Sequence, residues 1–229
     1  MAAERDVRER DGDMKKSFAL ILAWLLGCGI AFADGPATRP SDELLQHLQQ
    51  QLATVQTVES DFVQVKNLTM LKHQMTIKGH FALQKPNQLM WSVQEPVRYA
   101  IRVEGDEIKQ WDEDTNQVQT IHLGGDPTFQ AITEQIQAWF EGDYKVLAQS
   151  YDVELMGENP LSLGFVPKGD TMVAKVVGRV DLTFGKSELH IDKMVVHEVG
   201  GDTTTLQYLN TELNKPIDAK IWEMPPHDR

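Results

Sequence analysis

Gly79-His80-Phe81-Ala82-Leu83-Gln84-Lys85-Pro86-Asn87-Gln88-Leu89-Met90-Trp91 reads as two one-sided strands joined at a tight Lys-Pro-Asn corner. Before the corner, Ile77, Phe81 and Leu83 fall on one face, with Thr76, Lys78, His80 and Gln84 on the other. After it, Leu89, Trp91 and Val93 share a face opposite Gln88 and Ser92. Apolar residues at a period of two mark a sheet with one dry face and one wet face. The dry face carries unusually large side chains and none suited to catalysis. It implies a surface that holds apolar material.

The same alternation continues to either side. Phe62-Val63-Gln64-Val65 precedes the pair, whose strands run over about 75–84 and 88–94. Tyr99, Ile101 and Val103 alternate with Arg98, Ala100 and Arg102; Gly105-Asp106 is a turn, and 107–112 and 117–123 continue as a hairpin. Asp126-Pro127 breaks the run. Phe129, Ile132, Ile136 and Phe140 then recur at i, i+3, i+7 and i+11, which predicts a helix over about 128–141 with Trp139 beside the stripe. Strands resume at Tyr151. Val180, Leu182 and Phe184 alternate with Arg179, Asp181 and Thr183, and Gly200-Gly201-Asp202 turns between strands at 189–199 and 203–210. Upstream, Ser41 is a good N-cap with Asp42 and Glu43 in the first turn, and Leu44, Leu45, Leu48, Leu52 and Val55 predict an amphipathic helix over 41–57. These criteria give roughly ten or eleven strands and two helices, an α+β domain. No Gly-, Pro- or Ser-rich linker and no internal repeat divides 34–229, which reads as one domain.

The N-terminal segment is different in kind. Residues 1–13 are charged and polar without hydrophobic pattern. Met14-Lys15-Lys16 is followed by an apolar run from Phe18 to Phe32 and the small-residue pattern Ala31-Phe32-Ala33. A basic start, a short apolar core and an A-x-A end are the parts of a secretory signal peptide. Met14 is then the expected start and cleavage follows Ala33, leaving 1–33 as leader. As a membrane span the run is short of the usual ~20 residues. Leu25-Leu26-Gly27-Cys28 offers a second reading, a lipoprotein processing site with Cys28 acylated, although leucine before the glycine fits it poorly. Cys28 is the single cysteine, so cleavage after Ala33 leaves no disulfide to form. The leader carries five basic and five acidic residues, so the mature chain keeps the net charge of −12. That charge disfavours phosphate backbones and anionic membrane faces, and argues against nucleic acid as partner.

Tests for enzymatic chemistry fail. The chain has no G-x-S-x-G elbow, no H-E-x-x-H, no Walker loop and no paired cysteines. His190 and His197 are seven apart on one expected strand and so on opposite faces, and His47, His73, His80 and His122 lack ligand spacing. No metal and no cofactor is expected. The acidic cluster Asp112, Glu113 and Asp114 sits at a loop tip and reads as solvating.

Taken in order, Ser60-Asp61-Phe62-Val63-Gln64, the stretch 79–91, Pro96, and Gly105 with Trp111 resemble the periplasmic lipoprotein carrier family LolA. The likeness is densest over 60–111 and weaker through the middle helix and 189–210. It implies an incomplete, half-open antiparallel β-barrel of about eleven strands with helices capping the concave face. It also implies a monomeric, non-enzymatic periplasmic carrier that shelters acyl chains of lipoproteins, or of a related lipidated molecule, in an apolar cavity. Such a carrier receives its cargo from an inner-membrane ABC-type or other exporter and delivers it to an outer-membrane acceptor. By this resemblance Phe62, Phe81, Leu83, Leu89, Trp91 and Ile101 line the cavity. Leu44, Leu48, Leu52, Phe129, Ile132, Ile136 and Phe140 form a lid expected to insert over Phe81, Leu83, Leu89 and Trp91. In the family an arginine before the Pro-Asn corner hydrogen-bonds to lid backbone. Lys85 stands there and is the lid-clasp candidate; it keeps the charge but lacks the planar fork of donors. Two relatives give alternative readings, an outer-membrane receptor resembling LolB and anchored through Cys28, and a lipoprotein sensor resembling RseB, which carries a second domain. A hydrolase acting on periplasmic lipids is the third.

Overall fold

The structure, a computed structural model, describes residues 38–69, 74–122, 139, 142–169 and 173–225. Among the described residues there are eleven strands: β1 (Thr57–Asn67), β2 (Gln74–Gln84), β3 (Gln88–Glu95), β4 (Tyr99–Glu104), β5 (Glu107–Asp112), β6 (Gln117–His122), β7 (Tyr151–Glu158), β8 (Leu161–Pro167), β9 (Val177–Phe184), β10 (Ile191–Glu198) and β11 (Thr203–Leu213). Helix α1 (Asp42–Ala53) precedes them, α2 (Tyr144–Ser150) leads into β7, and a short 3-10 turn (Ala219–Trp222) follows β11.

All eleven strands form one sheet in the order β6-β5-β4-β3-β2-β1-β11-β10-β9-β8-β7. Every neighbouring pair is antiparallel. Two meanders, β1–β6 and β7–β11, are therefore joined where the first strand pairs with the last. The edge strands are β6 and β7, so the sheet is open and is not closed into a barrel.

Register explains the dry face. Phe81 stands opposite Trp91 and Leu83 opposite Leu89, with Ile101 and Val103 next in line. From β1, Phe62 and Gln64 share this face through their partners Gly79 and Ile77, and Tyr208 and Leu206 of β11 continue it. One apolar cluster covers the first meander and reaches β11, around Phe62, Phe81, Trp91 and Ile101. A second covers β7–β10, around Leu163, Phe165, Leu182 and Phe184. Ile191 and Met194 pack against both clusters, so the dry face is continuous across the sheet.

Helix α1 starts as its cap dictates, with the Ser41 hydroxyl accepting from the Leu44 amide at 3.1 Å. It ends at Ala53, short of the expected 57. The Gln56 amide donates to Asn214 Oδ1 at 2.7 Å, and Thr57 and Val58 enter the sheet opposite Gln84 and Leu83. The β-branched set Thr54, Val55, Thr57 and Val58 favours extended backbone once those partners exist. The expected helix over 128–141 lies outside the described residues apart from Trp139, which is helical. Helix α2 was not expected. It is set up by Gly142, at φ +70°, and by Asp143, whose side chain accepts from the Val146 amide at 3.2 Å. Strand β10 begins at Ile191, so His190 precedes it and the expected opposition of His190 and His197 on one strand does not arise.

Candidate functional site: the dry face and its seam

The site is built on a glycine. A Cβ on Gly79 would lie 2.1 Å from the Ser92 carbonyl oxygen and 2.5 Å from Cζ of Phe62. The ring of Phe62 therefore lies down over β2 and stacks on Trp91, with centroids 3.9 Å apart and planes at 24°. Phe81 meets Trp91 edge-on at 6.0 Å and tilts against Tyr208 at 5.8 Å. Ile101 is buried beside them, and Leu83 and Leu89 are half-buried at the margin. All six side chains expected to line a cavity thus meet in one cluster. Ile77, Val93, Ile108, Leu206 and Tyr208 complete it. Their strand alternation was visible, but the pairing that brings β11 beside β1 was not.

Where the two clusters meet, a cavity of about 40 Å³ opens between α1 and the sheet, lined among others by Leu52, Phe81, Leu83, Trp139, Ile191 and Tyr208. It has room for two or three waters. On its polar margin the hydroxyls of Ser60 and Thr211 lie 2.9 Å apart, Ser60 also reaches the Leu209 carbonyl at 2.9 Å, and His190 lies with Nε2 2.8 Å from Asp192 and Nδ1 unpaired. Burial pushes the Tyr208 phenol above its ordinary value, and Tyr99 likewise, with Asp112 adding to the effect. Both phenols stay uncharged.

The described lid residues sit differently from expectation. Leu48 and Leu52 are buried in the second cluster with Tyr144 and Leu147, and Leu44 packs at its edge. Of these three, Leu52 alone also lines the cavity that reaches Phe81 and Leu83. The helix is placed by its exit: α1 must run straight into β1 in the middle of the sheet, which lays its apolar stripe over the second meander. Gly142 makes room, since a Cβ there would lie 2.4 Å from Leu52 Cδ1. Phe129, Ile132, Ile136 and Phe140 lie outside the described residues. Lys85 Nζ donates to the Leu52 carbonyl at 3.0 Å, and its backbone amide donates to the Gln56 carbonyl at 2.9 Å. A cation at the C-terminal end of α1 is also where the helix dipole favours it.

The opposite face carries ion pairs as well as the buried Met90 and Trp111. His197 Nε2 lies 2.7 Å from Asp181, and Arg179 bridges Asp181 and Glu154. His80 Nδ1 lies 3.0 Å from Asp61, which also accepts from Asn210 at 3.0 Å. The hydrogen bonds from Asn210 and His80 hold the Asp61 carboxyl below the usual carboxylate range. Among the described residues no three histidine, cysteine or acidic side chains come together as a metal site. None of their helices is long and apolar enough to cross a membrane.

Known proteins agree with this geometry. The family model described as outer membrane lipoprotein carrier protein LolA matches residues 53–225. An outer-membrane lipoprotein carrier protein of Pseudoalteromonas translucida is 27% identical over 184 residues, 79% of this chain and 82% of the relative. A protein of the same name from Chromohalobacter salexigens is 26% identical over 152 residues, 65% of this chain and 67% of the relative. The crystal structure of MucB shares the fold at a TM-score of 0.51 and 12% identity, over 82% of this chain and 65% of that one. A family match over most of the chain, on a sheet whose one continuous dry face meets at a partly empty seam, leads to one conclusion: the protein belongs to the LolA family of outer membrane lipoprotein carrier proteins.

Proposed function

We propose that the protein carries lipoproteins, or molecules acylated like them, across the periplasm, with the acyl chains laid along the dry face of the sheet. The observation behind this reading is the pairing of a continuous apolar face with a cavity of only about 40 Å³ at its seam. An acyl chain of ~16 carbons, at ~0.8 kcal/mol per buried methylene, gains over ~10 kcal/mol on leaving water. It cannot cross an aqueous compartment unaided. A permanently open trough would be costly in the free protein, because empty apolar volume destabilises by ~24 cal/mol per Å³. The unloaded carrier therefore fills its own trough, and cargo enters by displacing side chains at the seam.

In this reading Leu52 and the covering helix move away when cargo arrives, and Lys85 is the latch that lets go of the Leu52 carbonyl. Residues 1–33 serve as an export leader, and an inner-membrane exporter and an outer-membrane acceptor stand at either end of the journey. Native mass spectrometry of the purified protein with a triacylated lipopeptide tests the proposal. The expected result is a one-to-one adduct that Phe81→Asp abolishes, on a chain beginning at Asp34. A folded protein that forms no adduct would refute it, and an acylated Cys28 as the first residue would make the protein a tethered receptor instead.

A further inference from the structure

The dry face carries several buried polar residues, Ser60, Gln64, Gln110 and Thr204 among them. Gln64 stands in register between Ile77 and Leu206, both members of the apolar cluster around Phe62. Two residues further along β1, Lys66 stands opposite Thr204 of β11, which in turn pairs with Val196 of β10. Gln64 is 3% exposed and Thr204 4%, and neither Nε2 of Gln64 nor Oγ1 of Thr204 has a hydrogen-bond partner. Lys66 Nζ lies 3.4 Å from Oε1 of Glu198, whose side chain is also buried. Buried donors and acceptors are normally paired, so these orphans, with Oε1 of Glu198 beside them, require an explanation on a mostly apolar face.

We propose that Gln64, Thr204 and the Lys66–Glu198 pair form a polar seat for the uncharged ester or amide carbonyl from which an acyl chain hangs. The inference rests on the carrier reading and specifies what the site recognises beyond grease. The charges of Lys66 and Glu198 answer one another, which leaves no net charge to attract a phosphate or carboxylate. What remains without a hydrogen bond is an amide N–H and a hydroxyl, which suit a neutral carbonyl, and Oε1 of Glu198, which suits an N–H beside it. The seat adjoins Phe62, so a chain whose carbonyl lies against Gln64 runs its methylenes directly onto the apolar cluster. Apolar sites commonly set ligand orientation by a few polar groups of this kind, and they discriminate strongly against analogues that leave those groups unpaired.

The test is competition for a bound uncharged fluorescent dye by methyl palmitate, N-methylpalmitamide and heptadecane. Wild-type protein should prefer the ester, the amide or both over the hydrocarbon. In Gln64→Leu/Thr204→Val that preference should fall about tenfold, the worth of two hydrogen bonds, while heptadecane still binds. The ester or the amide, whichever loses more, identifies the linkage that is read. The double variant should also unfold at a higher temperature, because it no longer buries unpaired polar atoms; if it does not fold, Gln64→Met and Thr204→Val are compared singly. An unchanged preference in the variants, with hydrocarbon binding intact, overturns the seat and leaves the carrier standing. Failure of the wild-type protein to bind any of the three probes overturns both.

Discussion

At the scale of the residue, Gly79 decides whether the dry face can form. Its missing side chain is the space in which Phe62 lies before stacking on Trp91. Gly79→Ala should destabilise the protein by ~1–3 kcal/mol, as overpacking does, and weaken the near-ultraviolet dichroism of the stacked rings. An unaltered denaturation midpoint would show that the stack has slack. On the other face Asp181 controls acid stability. Burial pushes its carboxyl up, but hydrogen bonds from His197 and Arg179 outweigh burial and hold it below the usual carboxylate range. A carboxylate lowered in this way stabilises the fold fully above the unfolded value of ~3.9, and the contribution disappears as pH falls through the lower folded value. Asp181→Asn should therefore be less stable than wild type at neutral pH, with a gap that narrows on acidification below about pH 4. A gap that widened there would contradict the assignment. Nothing in the sequence marks Asp181 or Gln64 as special, because their roles depend on neighbours far away in the chain.

Elements were legible in proportion to their periodicity. The alternation in 75–84 and 88–94 defined β2 and β3 to within a residue, since apart from Gly79 every second side chain on their dry face is large and apolar. Helix α1 was legible at its start, where Ser41 supplies a local signal, and overrun at its end, where Asn214 and Gln84 pull the backbone into the sheet. Helix α2 has only seven residues and no apolar stripe long enough to register. The Gly142-Asp143 pair was its signal, the glycine supplying a left-handed backbone and the aspartate a cap. The hold of Lys85 on α1 makes a prediction at this scale. Lys85→Met removes a hydrogen bond worth ~1 kcal/mol, so amides in the last turn of α1 should exchange roughly fivefold faster. Lys85→Arg should restore protection. Equal exchange in wild type and Lys85→Met would remove the latch.

At the scale of the whole molecule, the sequence announced that one face is dry in each strand, but not how the strands are ordered. The pairing of β1 with β11 joins residues some 150 positions apart, exemplified by Phe62 opposite Tyr208. It brings both meanders onto one apolar face and fixes the seam where the cavity lies. The registers of β3 with β4 and of β4 with β5 place Trp111 on the opposite side of the sheet from Trp91, since Trp111 pairs with Ala100 while Trp91 pairs with Ile101. That separation of two tryptophans across one sheet allows a single decisive experiment. Proteins retaining only Trp91 or only Trp111 are mixed with a lipopeptide whose acyl chains carry bromine, a contact quencher of indole fluorescence. If acyl chains lie on the dry face, Trp91 is quenched and Trp111 keeps its emission. Equal quenching of the two, or none of Trp91, would mean that the dry face does not receive the chains.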